Sequence, residues 1–539
     1  MSQRIRQRLA PVHSWLGLLL SWLMYFIVLT GTAGYFDAEL DHWMRPEAPT
    51  YHTAESAPPA GGGPKDSATA AWLNMATMQL EQHAGAATYW SIDFPLARYP
   101  FLSISWEHPE QGMKTAWLDP NSGEVLPVRD TAGSQTLYRM HWRLHYLPET
   151  LAYWLVGICA AVMCLATLSG VIIHRRIFAD FFTFRPGKKL RSWLDVHNLL
   201  SVTTLPFQLM ISYSALAFFA FTYLPTLIPA FYGSDAAASE RLYHDVFNEM
   251  PHTHPSGQSA QPTPLDRPLA HAQAHWGANQ IRYISIDNRG DAQARITIAP
   301  VEGRDIKADS PLIYNGMTGA WIPPANTSSR TGLNAYHWLT GLHEGLFASL
   351  PLRWLYALSG LILAGIIATG CILWEQKRQR NLPPTRGLRL VKGMNAGTLM
   401  GLPAAIACYF LANRLLPTHL AGRAELEVNC LFAAWAALTL HGFVRPAQRV
   451  WQEQCFIAAT LYGLLPLINA LTTDRGLVSS VAAGDWTFVG TDLFFLAVAM
   501  GAAFTGKHLR TSAAGQRRAK LFGQRKHTAA TPQGNNSWR

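Results

Sequence analysis

The residues best suited to chemistry in this chain are histidines at the ends of long apolar segments. His13 and His197 open two such segments in matching contexts, Val12-His13-Ser14-Trp15-Leu16 and Val196-His197-Asn198-Leu199-Leu200. His141 and His145 precede a third segment, His174 closes it, and His337 and His343 precede a fourth. An imidazole at membrane depth costs free energy unless it is paired, ligated or facing water, so each is a candidate functional group. Two neutral imidazoles delivered from facing helices are what a b-type haem iron takes as axial ligands. His13 with His197, and His343 with His145 or His141, would hold two haems, one toward each face, and so make a wire across a bilayer.

The second pair has two registers. The ungapped repeat aligns His343 with Arg143, midway between His141 and His145, and His145 is placed first. His174 reads either as a ligand or as the neighbour of a haem propionate, with Arg175 and Arg176 as carboxylate partners. A lone histidine at a helix end is ordinarily a cap or a hydrogen-bonded anchor. That reading is kept for His337, His52, His83, His244, His252 and His254. Gly31, Gly170 and Gly370 would let a flat macrocycle approach the backbone. The six cysteines (Cys159, Cys164, Cys371, Cys408, Cys430, Cys455) fall in or beside apolar segments without a CxxC pair, and read as small buried residues.

What must position these groups is a set of membrane-spanning helices. Charged residues are 14% of the 539, about half the globular norm, which argues against a soluble protein. Eight segments approach the ~20 apolar residues that a bilayer requires, near 14–36, 151–173, 199–223, 352–374, 397–413, 429–444, 454–471 and 487–505. The first reads as a retained signal anchor. The net charge of +10 is a topology signal and does not point to nucleic acid, because the basic residues cluster beside the spans. Arg175, Arg176, Arg185, Lys188, Lys189 and Arg191 separate spans two and three; Lys377, Arg378, Arg380, Arg386, Arg389 and Lys392 follow span four; a basic tail follows span eight. The positive-inside rule puts all three clusters, and both termini, on the cytoplasmic side of a bacterial inner membrane.

The expected organisation is a first span in 1–36, an exported domain in 37–150, spans two and three in 151–223, a second exported domain in 224–350, span four in 351–380, four further spans in 381–505, and a basic tail in 506–539. Each exported region opens on a linker (Ala57 to Pro64; Pro251 to Pro268) and continues with a helix at 67–84 or 266–278. Strand-like alternation follows at Tyr89–Phe94, Phe101–Trp106, Ile281–Ile286 and Ala294–Ile298. Trp117-Leu118-Asp119-Pro120-Asn121-Ser122-Gly123 is answered by Ile313-Tyr314-Asn315-Gly316-Met317-Thr318-Gly319, each with a glycine where a hairpin turn needs positive φ. The spans repeat too: Thr30-Gly31 matches Ser214-Ala215, and Trp154 with Ser169-Gly170 matches Trp354 with Thr369-Gly370. A duplicated helix–domain–helix unit accounts for the first 375 or so residues.

With these motifs in hand, residues 5–380 resemble the PepSY-associated transmembrane family, iron-regulated inner-membrane proteins that include ferric-siderophore reductases. The stretches that carry the resemblance are Val12-His13-Ser14-Trp15-Leu16-Gly17 through Leu29-Thr30-Gly31, and Met140-His141-Trp142-Arg143-Leu144-His145. Ser169-Gly170-Val171-Ile172-Ile173-His174-Arg175-Arg176, Phe182-Thr183-Phe184-Arg185-Pro186-Gly187-Lys188, Trp193-Leu194-Asp195-Val196-His197-Asn198 and Leu342-His343-Glu344-Gly345 complete the set. The sequence departs from the family at Gln208, where similar proteins carry histidine. The resemblance implies a mainly α membrane protein, with a four-helix core, two PepSY-like α+β domains and four additional C-terminal helices. It also implies reduction of ferric chelates, such as ferric siderophores, outside the membrane. No GxGxxG fingerprint follows a strand, so the electron donor would be a quinol or a separate cytoplasmic reductase. Two other readings are a non-redox protein whose exported domains restrain a peptidase or sense a ligand, and a transporter built on spans five to eight. The transporter reading meets few buried charges, since Glu425, Glu427, Asp485 and Asp492 fall near span ends. His441 reads as a polar anchor.

Overall fold

The computed structural model describes residues 3–48, 68–96, 98–108, 110, 112–174, 185, 190–223, 226–235, 237–247, 254–301, 303, 305–306, 309–323, 331–381, 383 and 385–528. The chain divides into two compact units, Met1–Ile367 and Ala368–Arg539. Among the described residues seven helices are long and apolar enough to cross a membrane, or up to eight if a bent helix pair is one span.

In the first unit, α1 (Gln3–Ala33) passes through a 3-10 turn into α2 (Asp37–Met44). A polar segment follows with α3 (Ala68–Ala84), β1 (Trp90–Asp93), β2 (Leu102–His108), β3 (Gly112–Leu118), β4 (Val125–Leu126) and α4 (Gly133–Arg143). Next come α5 (Glu149–Ile173), α6 (Leu190–Thr203), α7 (Leu205–Phe218) and the short α8 (Ala220–Tyr223), α9 (Leu227–Tyr232) and α10 (Ala238–Phe247). The second polar segment carries α11 (Asp266–Trp276), β5 (Ile281–Asp287), β6 (Arg295–Pro300), β7 (Leu312–Asn315), β8 (Trp321–Ile322) and α12 (Thr331–Glu344). Then α13 (Leu350–Asn381) leads to α14 (Arg386–Leu399), α15 (Gly401–Leu415), α16 (Arg423–Val444), α17 (Ala447–Thr472), α18 (Leu477–Ala482) and α19 (Trp486–Thr528).

The two polar segments do not stand as separate domains. Their strands form one eight-stranded antiparallel sheet, ordered β4-β3-β2-β1-β5-β6-β7-β8. The join pairs β1 with β5, and it pairs equivalent residues. Tyr89-Trp90-Ser91-Ile92-Asp93 and Tyr283-Ile284-Ser285-Ile286-Asp287 are the same motif, and Ser91 lies opposite Ser285, with Trp90 opposite Ile286 and Ile92 opposite Ile284. A local two-fold axis therefore passes between the two serines. One continuous core backs the sheet. Leu73, Ala76 and Leu80 of α3 and Leu269, Ala272 and Trp276 of α11 pack with Ile92, Ile104, Ile284, Ile286, Ile296 and Ile298. Each half exposes an apolar edge strand, and joining the edges removes two rows of unpaired backbone groups at once. The closing hairpins match as well. Gly123 (φ +74°) and Gly319 (φ +66°) take the left-handed position, and their N–H groups reach back to the Asp119 and Asn315 carbonyls.

The third span is not the single helix of 199–223 that hydropathy outlines. It begins at Leu190, breaks at Thr204 and bends by 67° between α6 and α7. Pro206, in the first turn of α7, has no N–H to offer the Val202 carbonyl, so the helix cannot run through it unbroken. Gln208 closes the gap. Its buried Nε2 donates to the Ser201 carbonyl at 2.8 Å and to Thr204 Oγ1 at 3.0 Å. Gln208 thus supplies a donor to the Ser201 carbonyl where the helix breaks.

In the second unit, the fifth span is α14 and α15 together, meeting at Met400. Gly393 and Gly397 of α14 face Gly442 of α16, and a Cβ on Gly442 would meet the Gly393 carbonyl at 2.6 Å, so these backbones touch. The eighth span continues as helix α19 to Thr528, through much of the segment assigned as a tail; residues 529–539 lie outside the described set. The Ala57–Pro64 linker, His52, His252, Arg175, Arg176, Lys188 and Lys189 also lie outside it.

Candidate functional site

The histidines of the first unit gather in two layers. In one, His13 projects from α1 and His197 from α6, with His174 at the C-terminal end of α5. The three are within electrostatic reach of one another. His13 Nδ1 lies 3.0 Å from Ser169 Oγ. That hydroxyl donates its only proton to the Ala166 carbonyl at 3.0 Å, so it accepts from the His13 Nδ1–H. His197 Nδ1 lies 3.1 Å from the Ile366 carbonyl, which can only accept. Ala166 and Ile366 occupy matching positions of the span repeat, as Trp154 and Trp354 do.

The second layer pairs His141 of α4 with His343 of α12, again within electrostatic reach. His141 donates its Nδ1–H to the Tyr138 carbonyl. His343 Nδ1 lies 2.8 Å from Ser214 Oγ, whose proton goes to the Met210 carbonyl at 2.6 Å. Hence in all four rings Nδ1 carries the proton and Nε2 the lone pair. Burial lowers the His141 pKa to about 4; burial and then the charge of His141 lower that of His343 to about 3. Both rings are therefore neutral at pH 7. His141, His343 and His197 are each partly buried. A neutral imidazole with Nδ1 held and Nε2 presented is the form that ligates a metal.

Glycines bring the backbone to these rings. A Cβ on Gly31 would meet His141 Cγ at 3.3 Å, and one on Gly170 would sit 3.6 Å from His13 Cε1. Around the second layer, Tyr35 Oη donates to the His343 carbonyl at 3.3 Å and Phe218 meets the His343 ring edge-on at 5.2 Å.

Of the two registers open in this layer, His141 is the residue that lies against Gly31 of α1 and within reach of His343. The helix ends at Arg143, and Leu144 (φ 50°) and His145 (φ 39°) both turn left-handed, so His145 leaves the face that carries His141 and packs on Tyr146. His337 packs beside Tyr336. His83 bonds its own helix at the Gln79 carbonyl, and His254 is exposed. His244 lies in α10, its side chain outside the described set.

The acidic residues of the second unit are a further correction. Glu427 and Asp492 are fully buried and Asp485 is 4% exposed; only Glu425 fits the expected exposed helix end. Arg423 pairs with Glu427 at 2.5 Å and donates to the Asn413 carbonyl; Asn413 Nδ2 donates to Glu427 at 3.0 Å. Arg414 bridges Asn413 to Asn469, donating to Asn469 Oδ1 at 2.9 Å, and Asn469 Nδ2 donates to Asp492 at 3.2 Å. Arg475 pairs with Asp485 at 3.1 Å. The sequence signal was present in the i,i+4 spacing of Arg423 and Glu427, but hydropathy marks such residues as span ends whether they face water or each other. His441, expected as an anchor, bonds Glu453 at 3.1 Å.

The helices and their apolar surfaces define a multi-pass membrane protein. Residues 10–377 match the family described as the PepSY-associated TM region, and the chain belongs to that family. No curated protein matches the chain.

Proposed function

We propose that this protein is a di-haem membrane electron carrier that reduces ferric chelates, ferric siderophores foremost, on the periplasmic side of the inner membrane. The observation that carries the reading is the donor set: four histidines in two layers, each held at Nδ1 by a hydrogen bond that leaves Nε2 as the ligating nitrogen. His13 and His197 would ligate one b-type haem and His141 and His343 the other, with His174 beside the first. Glycines 31 and 170 at the ring edges suit a flat macrocycle. The packing supports diagonal delivery from a four-helix core: α5 packs on both α1 and α7, while Gly360 and Gly365 of α13 lie against Thr32 of α1 and Leu200 of α6. Haem, when bound, supplies a one-electron iron couple at each layer.

The chain's own part is to hold the ligands, exclude water and fix the order of the layers. By the positive-inside rule, the His13 layer faces the cytoplasm and the His141 layer the periplasm, with both termini cytoplasmic. No acid or base is needed for the reduction, because lowering the charge on iron itself weakens a hard-oxygen chelate. The donor would be a quinol or a separate cytoplasmic reductase.

The test is a reduced-minus-oxidised absorption spectrum of the detergent-purified protein. Low-spin b-type bands are expected, with two haems per chain. Colourless protein from haem-replete cells overturns the reading. The chain would then be a non-redox protein whose polar segments restrain a peptidase or sense a ligand.

A further inference from the structure

Each histidine layer contains one ring that meets a serine hydroxyl as well as a carbonyl of the same helix, His13 at Ser169 and Ala166 and His343 at Ser214 and Ile211, and one ring whose Nδ1 meets a carbonyl. The carbonyl contacts are part of the helix backbone. The hydroxyl contacts are a choice of side chain, and they recur: Ser169 on His13 at 3.0 Å, Ser214 on His343 at 2.8 Å. In both cases the hydroxyl proton is committed to a carbonyl of its own helix, Ala166 for Ser169 and Met210 for Ser214. Neither hydroxyl is therefore able to donate to the ring without giving up that bond, so the ring N–H is the donor and the hydroxyl an acceptor that it shares with the neighbouring carbonyl, Ala166 for His13 and Ile211 for His343. Ser214 is fully buried, so no water competes for the contact.

We propose that Ser169 and Ser214 are the positioning residues of the two layers, one for each haem; this rests on the di-haem reading. An acceptor on Nδ1–H selects the tautomer that leaves Nε2 as the lone-pair nitrogen and fixes the plane of the ring. It also raises the basicity of Nε2, because the shared proton moves the imidazole toward imidazolate. A more basic axial ligand stabilises ferric over ferrous iron. Each serine thus holds its own haem at a lower potential than the same ligand pair would have without it.

The experiment is a potentiometric titration, followed by visible absorption, of full-length protein carrying Ser169→Val, Ser169→Thr, Ser214→Val or Ser214→Thr. Valine and threonine have the same shape, so the difference within each pair reports the hydroxyl alone. Ser169→Ala and Ser214→Ala, which only remove the hydroxyl, are read in the same way. The expected result is that each valine variant raises the potential of one haem, a different one for each serine, or releases that haem, while the matching threonine variant keeps the wild-type value. Equal potentials for valine, threonine and wild type at both positions overturn the inference while leaving the di-haem reading standing. Wild-type protein without haem removes both.

Discussion

The two units treat buried polar groups in opposite ways. In the first, four imidazoles are each held at Nδ1 by a serine hydroxyl or a backbone carbonyl. In the second, Asn413, Arg414, Arg423, Glu427, Asn469 and Asp492 spend their polar atoms on one another across α15, α16, α17 and α19. A buried polar group must find a partner, and the difference lies in where the partner comes from. A network closed on itself clamps helices; an imidazole held at Nδ1 has its ring plane fixed and a second nitrogen with which to ligate. Ionisable residues at membrane depth are therefore not equivalent as functional signals, and the balance of donors and acceptors separates them.

The comparison predicts that changes in the first unit alter cofactor content, whereas changes in the second alter stability. The largest effect is expected from His13→Ala and His343→Ala, each abolishing one of two haems and so removing roughly half of the b-type absorbance. If both variants keep the full spectrum, the layers are not ligand pairs. Gly31→Val comes next: its side chain would press on the His141 ring, with even the Cβ at 3.3 Å, so the His141 layer should lose haem while the His13 layer keeps it, read from the same spectrum. In the second unit, Arg423→Leu leaves Glu427 buried without its counter-charge and should cost about 3–5 kcal/mol, measured by thermal unfolding in detergent, with haem per folded protein unchanged. Gln208→Ala, which strips the Ser201 carbonyl of its donor at the bend, should cost about 1–3 kcal/mol and leave both haems in place. The smallest effect belongs to the double change Arg423→Met with Glu427→Leu, expected within about 1 kcal/mol of wild type because both charges go together. A large loss in the double variant would mean that the network does more than clamp.

Much of this was legible in the residues. Apolar runs locate every span but place some starts about ten residues late, as at Leu190 and Arg386, because a helix in a bilayer must be apolar over its buried length and can run on beyond it. Alternation marks β1, β2, β5 and β6, and the Asp119–Gly123 and Asn315–Gly319 turns are read from a glycine that alone tolerates positive φ. The repeat of His13 in His197 names the first layer outright. In the second layer the sequence offered both His141 and His145 and placed His145 first, since a helix end moves a side chain by about 100° per residue and the end itself was not visible. The bend at Thr204 was hidden because Pro206 lies inside an unbroken apolar run, which hydropathy averages over.

The sequence by itself determined the local periods: which segments are helices, which are strands, where the chain turns, and that two halves repeat. Only the tertiary structure decided what met what. It joined the halves into a single sheet through Ser91 and Ser285, chose His141 over His145, and turned Glu427, Asp485 and Asp492 from helix ends into a buried network. The physical reason is common to all three. Periodicity is set by bonds between near neighbours in the chain, whereas edge pairing, ring orientation and charge burial depend on surfaces that exist only after distant segments have packed.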